Sequence, residues 1–393
     1  MLIGSFMLMM RSANVSYNNW SMELSDVCGK NFSKQGLWKR ITPAFTDLLR
    51  KLLERTLQKA SLDSSHVKFY SKYKRVFVED STCLKLPDSM SQYWKGNHSK
   101  GKQKSVVKFH LVQDILSGGF AHFTLEPYSK SEQSLSQKIF DIANDGDLVL
   151  RDLGYFVIHN FITLCRRKIS FVSRLKYGVK LYDERSGKEL SIAKLLNKKT
   201  VTDCKVLMGK ENSCVVRLVA IKLDDQVKES RIRKAKQDRD KRCNHSKEYY
   251  HLLGYVIFIT NIDKTDWNAK EISQAYRSRW NIEILFKCWK SNFHTQKNLP
   301  QKATRKSSVE ALLYLTMLFL VWFQRCYVKW IINESDHEIS VRKVAAYLIS
   351  HIELILDMSL STSQVKTILH HCKHEARVKK SNAAKLVDDL YFT

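Results

Sequence analysis

Between residues 74 and 166 the chain passes through three strand-like segments, a helical one, a fourth short strand and a second helix. That order restricts the fold more than any other feature of the sequence. Arg75-Val76-Phe77-Val78-Glu79-Asp80 reads as a buried strand that continues loosely to Leu86. Ser105 to Val112 and Gly119 to Leu125 follow as strands, the second entered through the Ser117-Gly118-Gly119 turn. Ser131 to Ala143 has helical spacing, Asp147 to Leu150 is a short strand running into Arg151-Asp152, and Gly154 to Arg166 resumes helix. This is the element order of an α/β core. Residues 168 to 224 are strand-like again, Lys228 to Arg242 is a basic run of helical composition, and Tyr255 to Thr260 is a buried strand. Residues 268 to 290 read as one well-defined helix, and the chain from about 307 onward reads as helical throughout.

The 393 residues allow two or three domains, and 44% hydrophobic residues with only 13 Gly and 4 Pro exclude extensive disorder. Lys and Arg total 66 against 39 acidic residues, a formal charge of +27. Such self-repulsion calls for a polyanionic partner: DNA, RNA or an anionic membrane surface. The basic helical segments at 36–61 and 228–242 either contact phosphates or present solvated faces. Nine scattered cysteines without a C-x-x-C pair fit a reducing cytosol better than a disulfide framework. Two apolar stretches imitate membrane or targeting signals. Leu2 to Met10 has no basic flank or cleavage site and looks unlike the beginning of a folded domain. Ala311 to Phe323 is too short for roughly 30 Å of hydrocarbon and reads as a core helix.

The segment Ala275 to Lys290 is AYRSRWNIEILFKCWK. At about 100° per residue from Tyr276, Arg279, Glu283 and Lys290 fall near roughly 300°, 340° and 320°. The four polar groups share one stripe beside an apolar arc of Ala275, Ile282, Leu285, Phe286 and Trp289. Asp80 in the first strand and Asp152 after the fourth complete an ordered set of three carboxylates. Singly, a strand-end Asp is usually a cap and a helical Glu near a Lys is usually a solvated face. The ordered triad with the stripe makes Asp80, Asp152 and Glu283 candidates for a divalent metal site. His370, His371, Cys372 and His374 are a weak candidate for zinc, with no second ligand cluster. Trp267 and Trp280 could stack on a displaced base, although Trp280 reads better as packing.

Tyr276, Arg279, Glu283 and Lys290, separated by two, three and six residues, resemble the Y-R-E-K signature of the insertion-sequence-four family of DDE transposases. EDSTCLKLP (Glu79 to Pro87) resembles the family's first acidic motif and RDLGY (Arg151 to Tyr155) its second. Leu153 departs from the basic or polar residue often found there. The resemblance covers roughly residues 74 to 300. It implies an α/β fold with a ribonuclease H-like core interrupted by a β-rich insertion and flanked by helical regions. The corresponding division is 1–72 (helical, possible DNA-end binding), 73–166 (core), 167–250 (insertion with the basic helix), 251–300 (core with the Glu helix) and 301–393 (helical).

The resemblance further implies two Mg²⁺ or Mn²⁺ ions held by Asp80, Asp152 and Glu283, with Asp80 bridging both. Two ions about 3.5–4 Å apart activate the attacking oxygen and stabilise the leaving one during in-line displacement at a phosphate. Hard oxygen donors suit Mg²⁺. Tyr276, Arg279 and Lys290 would hold phosphates at the element end, and Arg231, Arg233, Lys234 and Lys236 of the basic run would add backbone contacts. The implied partner is double-stranded DNA, both element ends and target. The implied assembly is a homodimer in the bacterial cytoplasm, with no membrane. Two rivals stand beside this reading: a ribonuclease H-like nuclease that cuts without joining, and a DNA-binding derivative without catalysis. Persistence of all three acidic residues argues against the second.

Overall fold

A computed structural model describes residues 1–11, 15–58, 68–99, 101–196, 199–210, 213–237, 245–300, 302–334, 339–356 and 361–373. The chain opens with helices α1 (Leu2–Met9), α2 (Tyr17–Cys28), α3 (Lys34–Arg40) and α4 (Pro43–Gln58). Strands β1 (Val76–Leu86), β2 (Lys95–Ser99), β3 (Lys102–Asp114) and β4 (Phe120–Pro127) follow, then α5 (Glu132–Leu135), β5 (Leu148–Arg151) and α6 (Ile158–Arg166). Next come β6 (Ser170–Arg174), β7 (Leu181–Tyr182), α7 (Ile192–Leu196), β8 (Val201–Met208), β9 (Cys214–Lys222), α8 (Asp225–Lys236), α9 (Lys247–Leu252) and β10 (Tyr255–Thr260). The remainder is helical: α10 (Ala269–Arg277), α11 (Trp280–Ser291), α12 (Lys306–Glu334), α13 (Val341–Ser350), α14 (Ile352–Leu356) and α15 (Thr362–His371). The chain is thus a mixed α/β protein, as its element order implies.

Two compact units divide these elements. The first gathers Met1–Phe69, Glu79–Ser131 and Trp280–Thr393; the second gathers Tyr70–Val78 and Glu132–Arg279. β1 begins in the second and ends in the first.

In the second unit, the start of β1 pairs parallel with β5 (Val76↔Leu148), and β5 pairs parallel with β6 (Leu148↔Ser170). Parallel strands covered on both faces need continuous apolar runs. Accordingly Val76, Phe77, Val78, Leu148, Val149, Leu150, Phe171 and Val172 are all fully buried. The sheet then turns antiparallel through β10, β9, β8 and β7. The strands between residues 170 and 222 therefore share one sheet with β5 and β10. α8 buries no residue, as its charged composition dictates.

In the first unit, β3 runs beside β1, with β2 and β4 as its hairpin partners. α12 is apolar over most of its circumference, with Ala311, Leu313, Leu315, Met317, Leu320 and Phe323 fully buried, so the unit's core forms around it. The helix is much longer than the apolar run that marks it. Lys306–Trp330 is long and apolar enough to cross a membrane, yet 72% of its most apolar window is buried within the protein. The burial matches the core helix expected from the sequence. The first ten residues also differ from expectation. α1 packs on α2 through Phe6 and Trp20, ring centroids 5.5 Å apart, with Trp20 Nε1 donating to Ser5 Oγ at 3.1 Å.

Candidate active site

β5 ends by delivering Asp152 to a tight turn. The residue has extended backbone, and its carboxylate accepts from the Gly154 amide at 3.4 Å. Arg151 anchors that turn from beneath: its side chain is fully buried and donates to the carbonyls of Tyr155 and Ser136. The RDLGY motif thus combines an accessible carboxylate with a buried guanidinium that fixes its backbone.

Two residues of the Y-R-E-K set converge on Asp152. Tyr276, on α10, donates to Asp152 Oδ1 at 3.4 Å, and its ring packs on Phe258 at 5.2 Å. Burial pushes the Tyr276 hydroxyl up to about 12. Arg279 Nε lies 3.6 Å from the same Oδ1, and the guanidinium sits 5.7 Å from the Tyr276 ring centre. Arg279 is only 7% exposed, whereas the Asp152 side chain is 37% exposed. A carboxylate positioned by protein donors and with about a third of its surface open to solvent is suited to receive a further cation.

The single helix expected over 268–290 is two helices. α10 begins with a capping box, Asn268 and Glu271 each bonding the other's backbone amide. Its far end tightens, because the Ser278 and Arg279 amides bond the carbonyls of Ala275 and Tyr276, three residues back instead of four. Tyr70 Oη pairs with Ser278 Oγ at 2.8 Å and fixes the break. Tyr276 therefore lies on α10, Arg279 in the turn, and Glu283 and Lys290 on α11. The four residues do not form one continuous helical stripe.

In the first unit, Asp80 sits in mid-strand, half-buried, accepting from the Ser81 amide at 2.7 Å. Its neighbour Glu79 is fully buried and meets His110 Nε2 of β3 at 3.1 Å. Glu283 occupies the first turn of α11 and is half-buried, while Lys290, two turns on, is exposed. The apolar arc read from the sequence is buried as expected: Ile282, Leu285, Phe286 and Trp289 face inward, with Trp289 against Phe120 and Phe123. Asp80 and Glu283 thus belong to the first unit and Asp152, Tyr276 and Arg279 to the second. Among the described residues no group of three or more His, Cys, Asp or Glu side chains gathers closely enough to hold a metal ion.

The weaker candidates separate. Trp267 is buried against Tyr70 and Tyr73 and is a packing residue. Trp280, expected to pack, is 40% exposed. Cys372 is buried, and His374 lies outside the described residues. On α8, Arg231 is half-buried and donates to the Tyr255 carbonyl at 3.2 Å, leaving Arg233, Lys234 and Lys236 on the surface. The sequence reading missed Arg151 and the Glu79–His110 pair. Arg151 and Glu79 stand beside the motif aspartates, the one local signal that could have drawn notice.

A strongly basic α/β chain with this acidic order belongs to a recognisable class. Residues 72–321, well over half the chain, match the family described as the transposase DDE domain. The chain belongs to that family and is a DNA transposase. Among its relatives, the transposase for insertion sequence element IS231F of Bacillus thuringiensis subsp. israelensis is 22% identical over 376 residues, covering 89% of this chain and 78% of the relative. The IS231E transposase of Bacillus thuringiensis subsp. finitimus is 24% identical, covering 93% and 81%. The IS1151 transposase of Clostridium perfringens is 24% identical, covering 68% and 61%. Among solved structures, the piggyBac transposase synaptic complex with hairpin DNA aligns with a TM-score of 0.45 at 9% identity, covering 98% of this chain and 78% of that one.

Proposed function

We propose that this transposase binds the terminal inverted repeats of its own element, cleaves the ends and joins the freed 3′ ends to target DNA. The observation that carries the reading is the convergence of Tyr276 and Arg279 on Asp152, at the second acidic motif of a chain that matches the DDE family. Asp80, Asp152 and Glu283 are the metal ligands in this reading, carried on a ribonuclease H-like core. Their donor chemistry fits Mg²⁺ or Mn²⁺: three carboxylates, none fully buried. When bound, two such ions supply Lewis-acid stabilisation of the attacking and leaving oxygens.

The protein's own groups do the rest. Arg279 and Tyr276 orient the Asp152 carboxylate through Oδ1 while the Gly154 amide meets Oδ2, and the side chain stays partly open to solvent. Lys290 is an exposed point charge for a phosphate near the scissile bond, and the planar fork of Arg279 serves both Asp152 and a neighbouring phosphate. The basic face of α8 tracks the DNA backbone away from the cut. The working assembly is a homodimer on DNA in the bacterial cytoplasm.

The test is strand transfer by the full chain with pre-cut element ends, supercoiled plasmid as target and Mg²⁺. Joined products support the proposal. Cleavage of uncut ends without any joining would make the protein a nuclease and overturn it.

A further inference from the structure

Beside α8 lies a cluster of aromatic rings that cleavage and joining do not use. His245 stacks on Tyr249 with centroids 4.0 Å apart and planes inclined by 15°. Tyr249 meets Tyr177 edge-on at 4.9 Å and Tyr250 at 5.9 Å. Tyr177 Oη pairs with Ser246 Oγ at 2.8 Å, which holds the loop after β6 against α9. Tyr177 is nevertheless 50% exposed.

The rings stand within a field of unneutralised cations. α8 carries Lys228, Arg231, Arg233, Lys234 and Lys236, and none has a carboxylate ion-pair partner among the described residues, although Asp225 and Glu229 lie on the same helix. Lys236 Nζ lies 6.0 Å from the Tyr250 ring centre, so cations and rings form one surface. Arg174, at the end of β6, adds a further positive charge that repels Arg231. Like charges that repel one another are stabilised when an anion joins them.

Phosphate-seeking cations beside a half-exposed tyrosine ring and two partly exposed ones are the chemistry that recognises unpaired nucleic acid. Duplex phosphates satisfy cations alone, but the bases of a duplex are stacked on one another and offer no free faces to a ring. We propose that Tyr177, His245 and Tyr249 form a stacking platform for unpaired bases of single-stranded DNA, whose phosphates Arg174 and α8 hold. The inference deepens the reading of α8 as a DNA contact and rests on it.

The test is fluorescence anisotropy of the full chain with a labelled oligothymidylate of about 12 nucleotides, against a mixed-sequence duplex of similar length. Tyr177→Ala should weaken single-strand binding roughly 5- to 150-fold, which corresponds to about 1–3 kcal/mol for one lost stacking contact. Duplex affinity and the salt dependence of both should stay within about twofold of wild type, because no charge is removed. Tyr177→Phe keeps the ring and should retain single-strand binding, which separates stacking from loss of the Ser246 hydrogen bond. Equal losses on both probes, or no loss on the single strand, would overturn the platform while leaving the contact between α8 and the backbone intact. Wild-type protein that binds neither probe would overturn both.

Discussion

Replacing Arg279 tests whether it positions Asp152. Arg279 Nε is 3.6 Å from Asp152 Oδ1, and unit charges about 4 Å apart attract by roughly 4 kcal/mol at an effective dielectric of about 20. Asp152 is 37% exposed, so water screens a large part of this, leaving a net contribution of about 1–2 kcal/mol. Arg279→Ala should therefore lower the melting temperature of metal-free protein by about 2–8 °C, at roughly 2–4 °C per kcal/mol for a unit of this size. Arg279→Lys, which keeps charge without the planar fork, should fall between. The decisive comparison is the same substitution in an Asp152→Asn background. If the two side chains interact as described, Arg279→Ala should cost about 1 kcal/mol less there, a coupling measurable by calorimetry. Costs equal in both backgrounds to within about 0.3 kcal/mol would refute the pairing, and with it the claim that Arg279 orients the carboxylate.

Three further outcomes follow. Neutralising Arg231, Arg233, Lys234 and Lys236 together should flatten the salt dependence of duplex binding by about 0.9 per lost phosphate contact; an unchanged slope would return α8 to a solvated helix. Gly118 has φ +66°, and a Cβ there would lie 2.5 Å from Val328 Cγ2. Gly118→Ala should therefore destabilise the protein by about 1–3 kcal/mol, with Val328→Ala relieving part of the loss in a thermal melt. Burial raises Tyr17, Tyr73 and Tyr276 to about 12, so their neutral forms favour the folded state; that stability is complete below about pH 10 and is lost as pH rises through about 12. Thermal melts should show alkaline destabilisation across that window, reduced in Tyr276→Phe; an unchanged alkaline limb in that variant would remove Tyr276 from the effect.

Where sequence and structure agree, local information was sufficient. The start of β1 (Val76-Phe77-Val78) and β10 are apolar runs that a covered sheet accepts, and the apolar arc on α11 is visible from spacing alone. Where they part, the cause is distant or weak. Nothing in Arg277-Ser278-Arg279 breaks a helix, with neither Gly nor Pro present; the break is fixed by Tyr70, 208 residues away in sequence. β2 escaped notice because KGNHS is polar and its strand is largely exposed, and α7 and α9 are too short to show a period. The candidate site was legible as a set of residue types in order. Its local geometry was not, since the convergence of Tyr276 on Asp152 spans 124 residues and leaves no trace in spacing.

The central claim is that Asp80, Asp152 and Glu283 carry the chemistry. The direct measurement is single-turnover cleavage of an element-end duplex in Mg²⁺ by Asp80→Asn, Asp152→Asn and Glu283→Gln, each pre-assembled on the DNA and checked for binding by mobility shift. Each variant should bind the end within a few-fold of wild type and cleave at no detectable rate, with Ca²⁺ supporting binding and little or no cutting by the wild type. A variant that binds normally and still cleaves at close to the wild-type rate would contradict the assignment of that carboxylate.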